Sequence, residues 1–222
     1  MDNFTQQLIN YLNVIIDSNI NLTHYAHKNN IPIYVNGNLD KGWKGNVVEH
    51  LLNISKNNKK GSDYENLEIK TVPVIKKDNE YKVKETTCLG VLETAELIKN
   101  NFSDSSLYKK INQTLFILID VKDKEAPFIV GTYYLQIENL PDLKLRMEQD
   151  YNTIADQICD NIQCSLPLDN HLTGKLGEVI QPRPKTGKKG NYTWAFYLKT
   201  HVLNSLLNNR ELIEKPKLIR YK

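Results

Sequence analysis

The sequence Asp63-Tyr-Glu-Asn-Leu-Glu68-Ile-Lys70-Thr-Val72 marks the point where the chain changes from helical to strand periodicity. From Leu67 onward, apolar and polar residues alternate with the two-residue period of a half-buried β-strand. Further along, the segment 115–121 is almost wholly apolar, which predicts a strand buried on both of its faces. These two strands predict a sheet at the centre of the fold.

Helices are predicted on either side of the sheet strands. Apolar residues recur every three to four positions, as on the buried side of an amphipathic helix, in four segments. These segments are 3–18, 41–53, 142–161 and 200–209. Three further strands are predicted over 81–91, 128–137 and 193–199. This order predicts a mixed α/β domain in which a central sheet is flanked by helices.

The length and composition of the chain restrict its class. With 222 residues, of which 40% are hydrophobic and 25% charged, it fits a single globular domain over 1–222, with approximate lobes 1–140 and 141–222. No apolar run approaches the ~20 residues of a membrane span, and the N-terminus lacks a secretion signal pattern. Three cysteines are too few for a disulfide framework or a four-ligand zinc site. We therefore expect a cytoplasmic protein without a membrane partner.

The distribution of charge is more informative than its sum. The chain has 29 basic and 26 acidic residues, and the resulting net charge of +3 permits a nucleic-acid partner without requiring one. Six of the 29 basic residues and one acidic residue lie between Lys175 and Lys199, in a segment that is also rich in glycine. This concentration favours a polyanionic partner.

Candidate catalytic residues occur where the first strand begins. Glu68 and Lys70 are two residues apart and so project from the same face of the strand, while Asp63 lies at its entrance. Paired carboxylates suit a hard cation such as Mg²⁺, and a neighbouring lysine can orient water or stabilise charge on a phosphate. An Asp followed by Glu-x-Lys is typical of a large group of metal-dependent nucleases. Taken alone the pattern is weak, because alternating charges on a strand more often form a solvated outer face.

A third carboxylate lies on the preceding helix. Glu49 is surrounded in sequence by the apolar residues Val47, Val48, Leu51 and Leu52. A glutamate beside an apolar stripe is costly to bury unless it binds a metal or a hydrogen-bond donor. The alternative is a glutamate at the helix edge with its carboxylate in water.

Several separate motifs, in order from about residue 38 to 213, resemble the MutH family. Members of that family nick GATC sites in methyl-directed mismatch repair, and GATC-cutting restriction enzymes are related to them. The matching motifs are Lys41-Gly-Trp-Lys-Gly-Asn-Val-Val-Glu49-His-Leu-Leu, Ser62-Asp63, Leu67-Glu68-Ile-Lys70-Thr-Val-Pro73, Glu85-Thr86-Thr87, Gln181-Pro182-Arg183-Pro184-Lys185 and Ala195-Phe196-Tyr197-Leu198-Lys199. The resemblance implies a restriction-endonuclease-like fold in which two lobes form a DNA cleft.

The same resemblance implies roles for the acidic and basic residues. Asp63 and Glu68 would bind the metal, Glu49 would complete the metal site, and Lys70 would be the catalytic lysine. Lys110 matches a second active-site lysine of the family, although the neighbouring Lys109 leaves the register open by one residue. The implied cofactor is Mg²⁺, with Mn²⁺ as a substitute.

DNA reading is expected from the C-terminal third of the chain. Arg183 is the residue we expect against a guanine edge, since a guanidinium can donate to O6 and N7 together. Pro184 would fix the loop that carries it, and Tyr197 would sense adenine methylation, unless it is an ordinary half-buried strand aromatic. The remaining DNA contacts are expected from Lys41, Lys185, Lys188, Lys189 and Lys199.

Two positions depart from the family pattern. Asp63 and Glu68 are closer in sequence than the corresponding family residues, which predicts a tighter hairpin. Cys88 stands where the family has an aromatic residue that approaches DNA, which puts that contact in question.

The resulting expectation is a monomeric, Mg²⁺-dependent endonuclease that nicks the unmethylated strand of hemimethylated GATC in double-stranded DNA during mismatch repair, activated by a MutL-like ATPase. One alternative is a type II restriction endonuclease that cuts GATC, which would share the catalytic residues. A second alternative is a DNA-binding module that has lost cleavage, and the intact Asp63, Glu68 and Lys70 argue against it.

Overall fold

The computed structural model describes residues 1–54, 63, 64, 66–186 and 193–208, and they fall into two compact units. The first unit comprises Met1–Lys84 and Leu115–Tyr134. The second comprises Glu85–Thr114 and, among the described residues after Leu135, 135–186 and 193–208. Lys188 and Lys189, both expected to contact phosphate, lie outside the described residues.

The helices and strands follow one another along the chain in a mixed order. In order they are α1 (Asn3–Asp17), α2 (Leu22–Lys28), β1 (Tyr34–Val35), β2 (Asn38–Leu39), α3 (Trp43–Leu51), β3 (Glu68–Lys77), β4 (Glu80–Val83), β5 (Thr87–Val91), α4 (Thr94–Lys99), α5 (Ser106–Ile111), β6 (Gln113–Asp120), β7 (Phe128–Gln136), α6 (Pro141–Gln163), β8 (Ile180–Thr186), β9 (Thr193–Leu198) and α7 (Thr200–Asn208). The predicted mixed α/β class is confirmed. None of the helices within the described residues is long and apolar enough to cross a membrane.

The first unit is built on a four-stranded sheet in the order β4-β3-β6-β7. Seven of the eight residues of β6 are buried, which confirms the prediction of a strand covered on both faces. Helix α1 begins where the Asp2 carboxylate accepts the Thr5 backbone N–H at 2.6 Å, and it buries its apolar stripe in the core of this unit. Trp43 and Val47 of α3 enter the same core, so this helix is held against the sheet.

The second unit contains a three-stranded antiparallel sheet in the order β5-β9-β8, together with the long helix α6. Phe196 of β9 stacks on Tyr151 of α6 with ring centroids 5.8 Å apart. The Phe102 ring also contacts Tyr151, with ring centroids 5.7 Å apart. This aromatic core fixes β9, and with it the face of the sheet that carries Tyr197.

The prediction of one strand over 81–91 was wrong. Asp78 and Asn79 both have positive φ, which closes a tight hairpin between β3 and β4 with the twist that antiparallel strands favour. After β4 the chain passes to the other sheet, where the following strand, β5, pairs with β9 instead. The two strands look continuous in sequence because the link between them is only three residues long.

The expectation of a loop around Pro184 was also wrong, because residues 180–186 form the strand β8. Proline lacks the N–H that a strand interior requires, but it is tolerated on an edge strand. β8 is at the edge of its sheet, where Pro182 and Pro184 lie opposite Phe196 and Trp194. The strand therefore holds Arg183 opposite Ala195, while the register shifts at Lys185, between Pro184 and Thr186.

Candidate active site

The acidic hairpin before β3 is short and is closed by a bridge between Tyr64 and Leu67. Tyr64 and Leu67 exchange two backbone hydrogen bonds, of 3.0 and 3.3 Å, which confirms the predicted tight hairpin. The Asp63 carboxylate accepts the Ile69 backbone N–H at 2.7 Å. Since that nitrogen belongs to the peptide bond that joins Glu68 to Ile69, the Asp63 side chain lies against the start of β3.

Glu68 is buried, which a solvated strand face does not explain. Its side chain is 3% exposed and forms an ion pair with the Lys70 ammonium, whose side chain is 24% exposed. The two residues share one face of β3, as their spacing predicted, while Leu67 and Ile69 are buried on the other face. Both faces of the strand are therefore covered at its start, and the expected half-buried pattern does not hold there. A carboxylate is rarely buried unless it is paired or binds a cation.

Glu49 is half-buried on α3, the helix that packs against β3. Gly45 of this helix lies beside Thr71, the residue that follows Lys70 in β3. A Cβ added at Gly45 would lie 3.8 Å from Thr71 Oγ1. Within the described residues, no three His, Cys, Asp or Glu side chains form a group able to hold a metal ion. The structure thus brings Asp63 and Glu68 together at one hairpin and does not bring Glu49 into a three-carboxylate cluster with them.

The donor set at the hairpin is compatible with Mg²⁺. This ion is usually bound by one or two carboxylates and completes its octahedral shell with waters and substrate phosphate oxygens. The carboxylates of Asp63 and Glu68 meet that requirement without a third acidic residue.

The structure distinguishes the two lysines that sequence left open. Lys109 is exposed on α5, whereas Lys110 is half-buried. A Cβ added at Gly90 of β5 would lie 3.5 Å from Lys110 Cδ, at van der Waals contact, so the aliphatic part of Lys110 lies beside Gly90. Which of the two is the active-site lysine stays a prediction, and the difference in burial favours Lys110.

The predicted DNA-reading residues meet on one face of the small sheet. Tyr197 of the central strand β9 lies opposite Cys88 on β5 and Gln181 on β8. Arg183 follows Gln181 by two residues, so it shares that face, and its guanidinium carbon lies 5.8 Å from the centre of the Tyr197 ring. Arg183 Nη1 also donates to Thr86 Oγ1 at 2.8 Å.

Tyr197 is half-buried at this face. Burial raises the pKa of its hydroxyl, and the neighbouring Cys88 thiol raises that pKa further. The phenol is therefore neutral at physiological pH and presents an uncharged surface. Cys88, where the family has an aromatic residue, packs against Tyr197 across the strands.

The other expected DNA contacts have different surroundings. Lys41, Pro184 and Lys185 are exposed. Lys199 is half-buried, and its ammonium donates to the backbone carbonyl of Gly177. Its ordered contact is thus within the protein.

Sequence reasoning missed a buried carboxylate that supports β8. Asp150 of α6 is 5% exposed and accepts the backbone N–H groups of Glu178, Val179 and Ile180 at 2.8, 2.6 and 2.8 Å. Gly177 has a φ of +78°, and a Cβ there would lie 2.2 Å from the Ile180 carbonyl oxygen. The role of Asp150 could not be predicted because its hydrogen-bond partners are 28 to 30 residues away in sequence. The nearby Gly177 was the available signal for an unusual turn.

Comparison with known proteins gives consistent relatives. A family model described as "DNA mismatch repair enzyme MutH" matches residues 52–143. The "DNA mismatch repair protein MutH" of Shewanella sp. (strain ANA-3) is 28% identical over 208 residues, covering 85% of this chain and 88% of the relative. The protein of the same name from Photorhabdus laumondii subsp. laumondii is 28% identical over 213 residues, covering 87% and 89%.

Among solved structures, the "Restriction endonuclease MvaI-cognate DNA substrate complex" is 12% identical with a TM-score of 0.41, covering 93% of this chain and 96% of that chain. A similarity of this size does not identify a shared fold. The sequence relatives confirm the resemblance that the separate motifs predicted. Residues 52–143 of the chain therefore match the MutH family model, and the chain is similar to mismatch-repair MutH proteins along most of its length.

Proposed function

We propose that this chain is a Mg²⁺-dependent DNA endonuclease that nicks the unmethylated strand of hemimethylated GATC sites in mismatch repair. The observation that carries the proposal is the buried Glu68 carboxylate, paired with Lys70 and adjacent to Asp63 at one hairpin. A strand with only a structural role gains little from a buried ion pair, because the cost of removing both charges from water offsets their attraction. The similarity to DNA mismatch repair proteins named MutH supports the proposal.

We propose that Asp63 and Glu68 hold Mg²⁺. A part for Glu49 in this site stays a prediction, because within the described residues it forms no three-carboxylate group with them. Mn²⁺ accepts the same oxygen ligands and substitutes for it. When bound, the ion supplies an activated water and stabilises charge on the phosphate. Lys70 holds the Glu68 carboxylate in place and orients water at the scissile phosphate, and Lys110 adds positive charge on the substrate side.

We propose that the three-stranded sheet β5-β9-β8 recognises the GATC sequence. Arg183 donates to the guanine edge and Tyr197 excludes a methylated adenine by contact with its methyl group. Lys41 and Lys185 bind phosphates, and Pro184 keeps the edge strand β8 free of a further strand partner. A DNA contact by Lys199 stays a prediction, because its ammonium is bonded within the protein.

The proposal extends to partners and setting. A single catalytic unit suits nicking of one strand, whereas double-strand cleavage usually requires two copies related by symmetry. We accordingly propose a monomer that acts on cytoplasmic double-stranded DNA and is activated by a MutL-like ATPase.

The test is a plasmid assay with Mg²⁺ on hemimethylated, unmethylated and fully methylated GATC. The proposal predicts nicked circles from the first two substrates and intact plasmid from the third. Linear product as the first species would favour the restriction alternative. Binding without any cleavage would leave only the DNA-binding alternative.

A further inference from the structure

Arg183 reaches across the small sheet to a residue without an assigned role. Its strand, β8, is at one edge of the sheet and β5 is at the other, with β9 between them. The Arg183 side chain passes over the Tyr197 ring of β9 and donates from Nη1 to Thr86 Oγ1, at 2.8 Å, just before β5 begins. Two contacts of different kinds therefore fix one guanidinium.

Within the described residues, this arrangement leaves the remaining guanidinium donors without an acceptor. Arginine has five N–H donors in a rigid planar fork, and Thr86 receives one of them. A free arginine side chain has many rotamers, and ordering them costs free energy at the moment of binding. An arginine already held at its edge by a hydroxyl and at its face by an aromatic ring bears less of that cost.

We infer that Thr86 is a positioning residue for DNA recognition, because its hydroxyl holds the Arg183 guanidinium over Tyr197 in the pose that reads guanine. The inference rests on the proposed function, since it needs Arg183 to contact guanine. Thr86 touches no substrate atom in this role and acts through Arg183. Its neighbour Cys88 lies opposite Tyr197 on the same face, so the three strands hold the reading residues as one group.

The test compares Thr86→Val, which keeps the shape and removes the hydroxyl, with Thr86→Ser, which keeps the hydroxyl. Thr193→Val is the matched control, since Thr193 is an exposed threonine on β9 of the same sheet. Full-length protein is titrated in EDTA with a GATC duplex and with the same duplex carrying 7-deazaguanine, which lacks the N7 acceptor. The readout is the ratio of the two affinities.

For the wild type, the deaza substitution is expected to weaken binding about fivefold or more. Thr86→Val should weaken binding to the normal duplex about fivefold and reduce the deaza penalty to about twofold. Thr86→Ser and Thr193→Val should both keep the wild-type penalty. A merely structural role for Thr86 would weaken binding to both duplexes equally and leave their ratio unchanged, and that result would overturn the inference.

Arg183→Ala separates this inference from the proposed function. If Arg183→Ala abolishes the deaza penalty while Thr86→Val keeps it in full, guanine reading by Arg183 stands and the role of Thr86 is refuted. If Arg183→Ala itself keeps the full penalty, Arg183 does not read this guanine, and the proposed recognition fails together with the inference.

Discussion

Replacing Lys70 by methionine removes the ammonium that pairs with Glu68 and keeps most of the aliphatic side chain. The Glu68 side chain is 3% exposed, so its carboxylate cannot turn to bulk water. Removing one partner of a buried ion pair costs about 3 to 5 kcal/mol. Because Lys70 is 24% exposed and water already screens it, we expect the lower end, about 3 kcal/mol, or roughly a 100-fold fall in the ratio of folded to unfolded protein.

The assay is urea unfolding at pH 7 in EDTA of the wild type, Lys70→Met, Glu68→Gln and the double variant. The double variant should lose less free energy of unfolding than the sum of the two single variants, because neither charge is then left in a low-dielectric site. Lys77→Met is the control, since Lys77 is exposed at the far end of the same strand, and it should stay within about 0.5 kcal/mol of the wild type.

Adding Mg²⁺ connects this stability measurement to the metal site. A ligand that binds only the folded state at ten times its Kd stabilises it by about 1.4 kcal/mol. If Asp63 and Glu68 hold the ion, Lys70→Met should gain at least as much from Mg²⁺ as the wild type does, because a cation again faces Glu68. A Lys70→Met protein as stable as the wild type in EDTA would refute the reasoning that Glu68 is buried as a charge and neutralised by Lys70.

Three other variants test separate parts of the structure. Tyr197→Ser should still nick DNA but should lose discrimination between methylated and unmethylated GATC. In the wild type this discrimination should not change between pH 7 and 9, since burial keeps the pKa of Tyr197 above its ordinary value of 10. Asp150→Asn should lower the free energy of unfolding by about 2 kcal/mol in a urea titration, because three backbone N–H groups lose a charged acceptor. Tyr133→Phe should raise the same quantity by about 1 kcal/mol at pH 7, since within the described residues this hydroxyl is buried without a hydrogen-bond partner. Burial also raises the pKa of Tyr133, which means that the folded state disfavours the ionised phenol. The wild type should therefore lose stability as the pH rises above 10, where the tyrosine of the unfolded chain ionises, and the Phe variant should lose less stability than the wild type between pH 7 and pH 11.

The sequence predicted features that depend on local pattern. The apolar stripe of α1, the buried strand β6 and the shared face of Glu68 and Lys70 all follow from periodicity, and all are present. The tight hairpin after Asp63 followed from a short spacing and is also present. Each of these features is set by residues within a few positions of each other.

Features that depend on long-range pairing were missed. The break between β4 and β5 arises because the two strands find partners in different sheets. β8 forms despite two prolines because it lies at an edge, and edge position is a property of the folded sheet. Asp150 and Thr86 acquire their contacts from residues 28 and 97 positions away. No periodicity in a single sequence encodes such pairs.

The most direct test of the central claim is cleavage of a hemimethylated GATC plasmid by the wild type and Lys70→Ala, each with Mg²⁺, beside a binding titration of both proteins with the same DNA. The account predicts that the wild type nicks the unmethylated strand, and that Lys70→Ala binds with similar affinity but leaves the plasmid intact. Nicking by Lys70→Ala at the wild-type rate, or binding without nicking by the wild type, would contradict it.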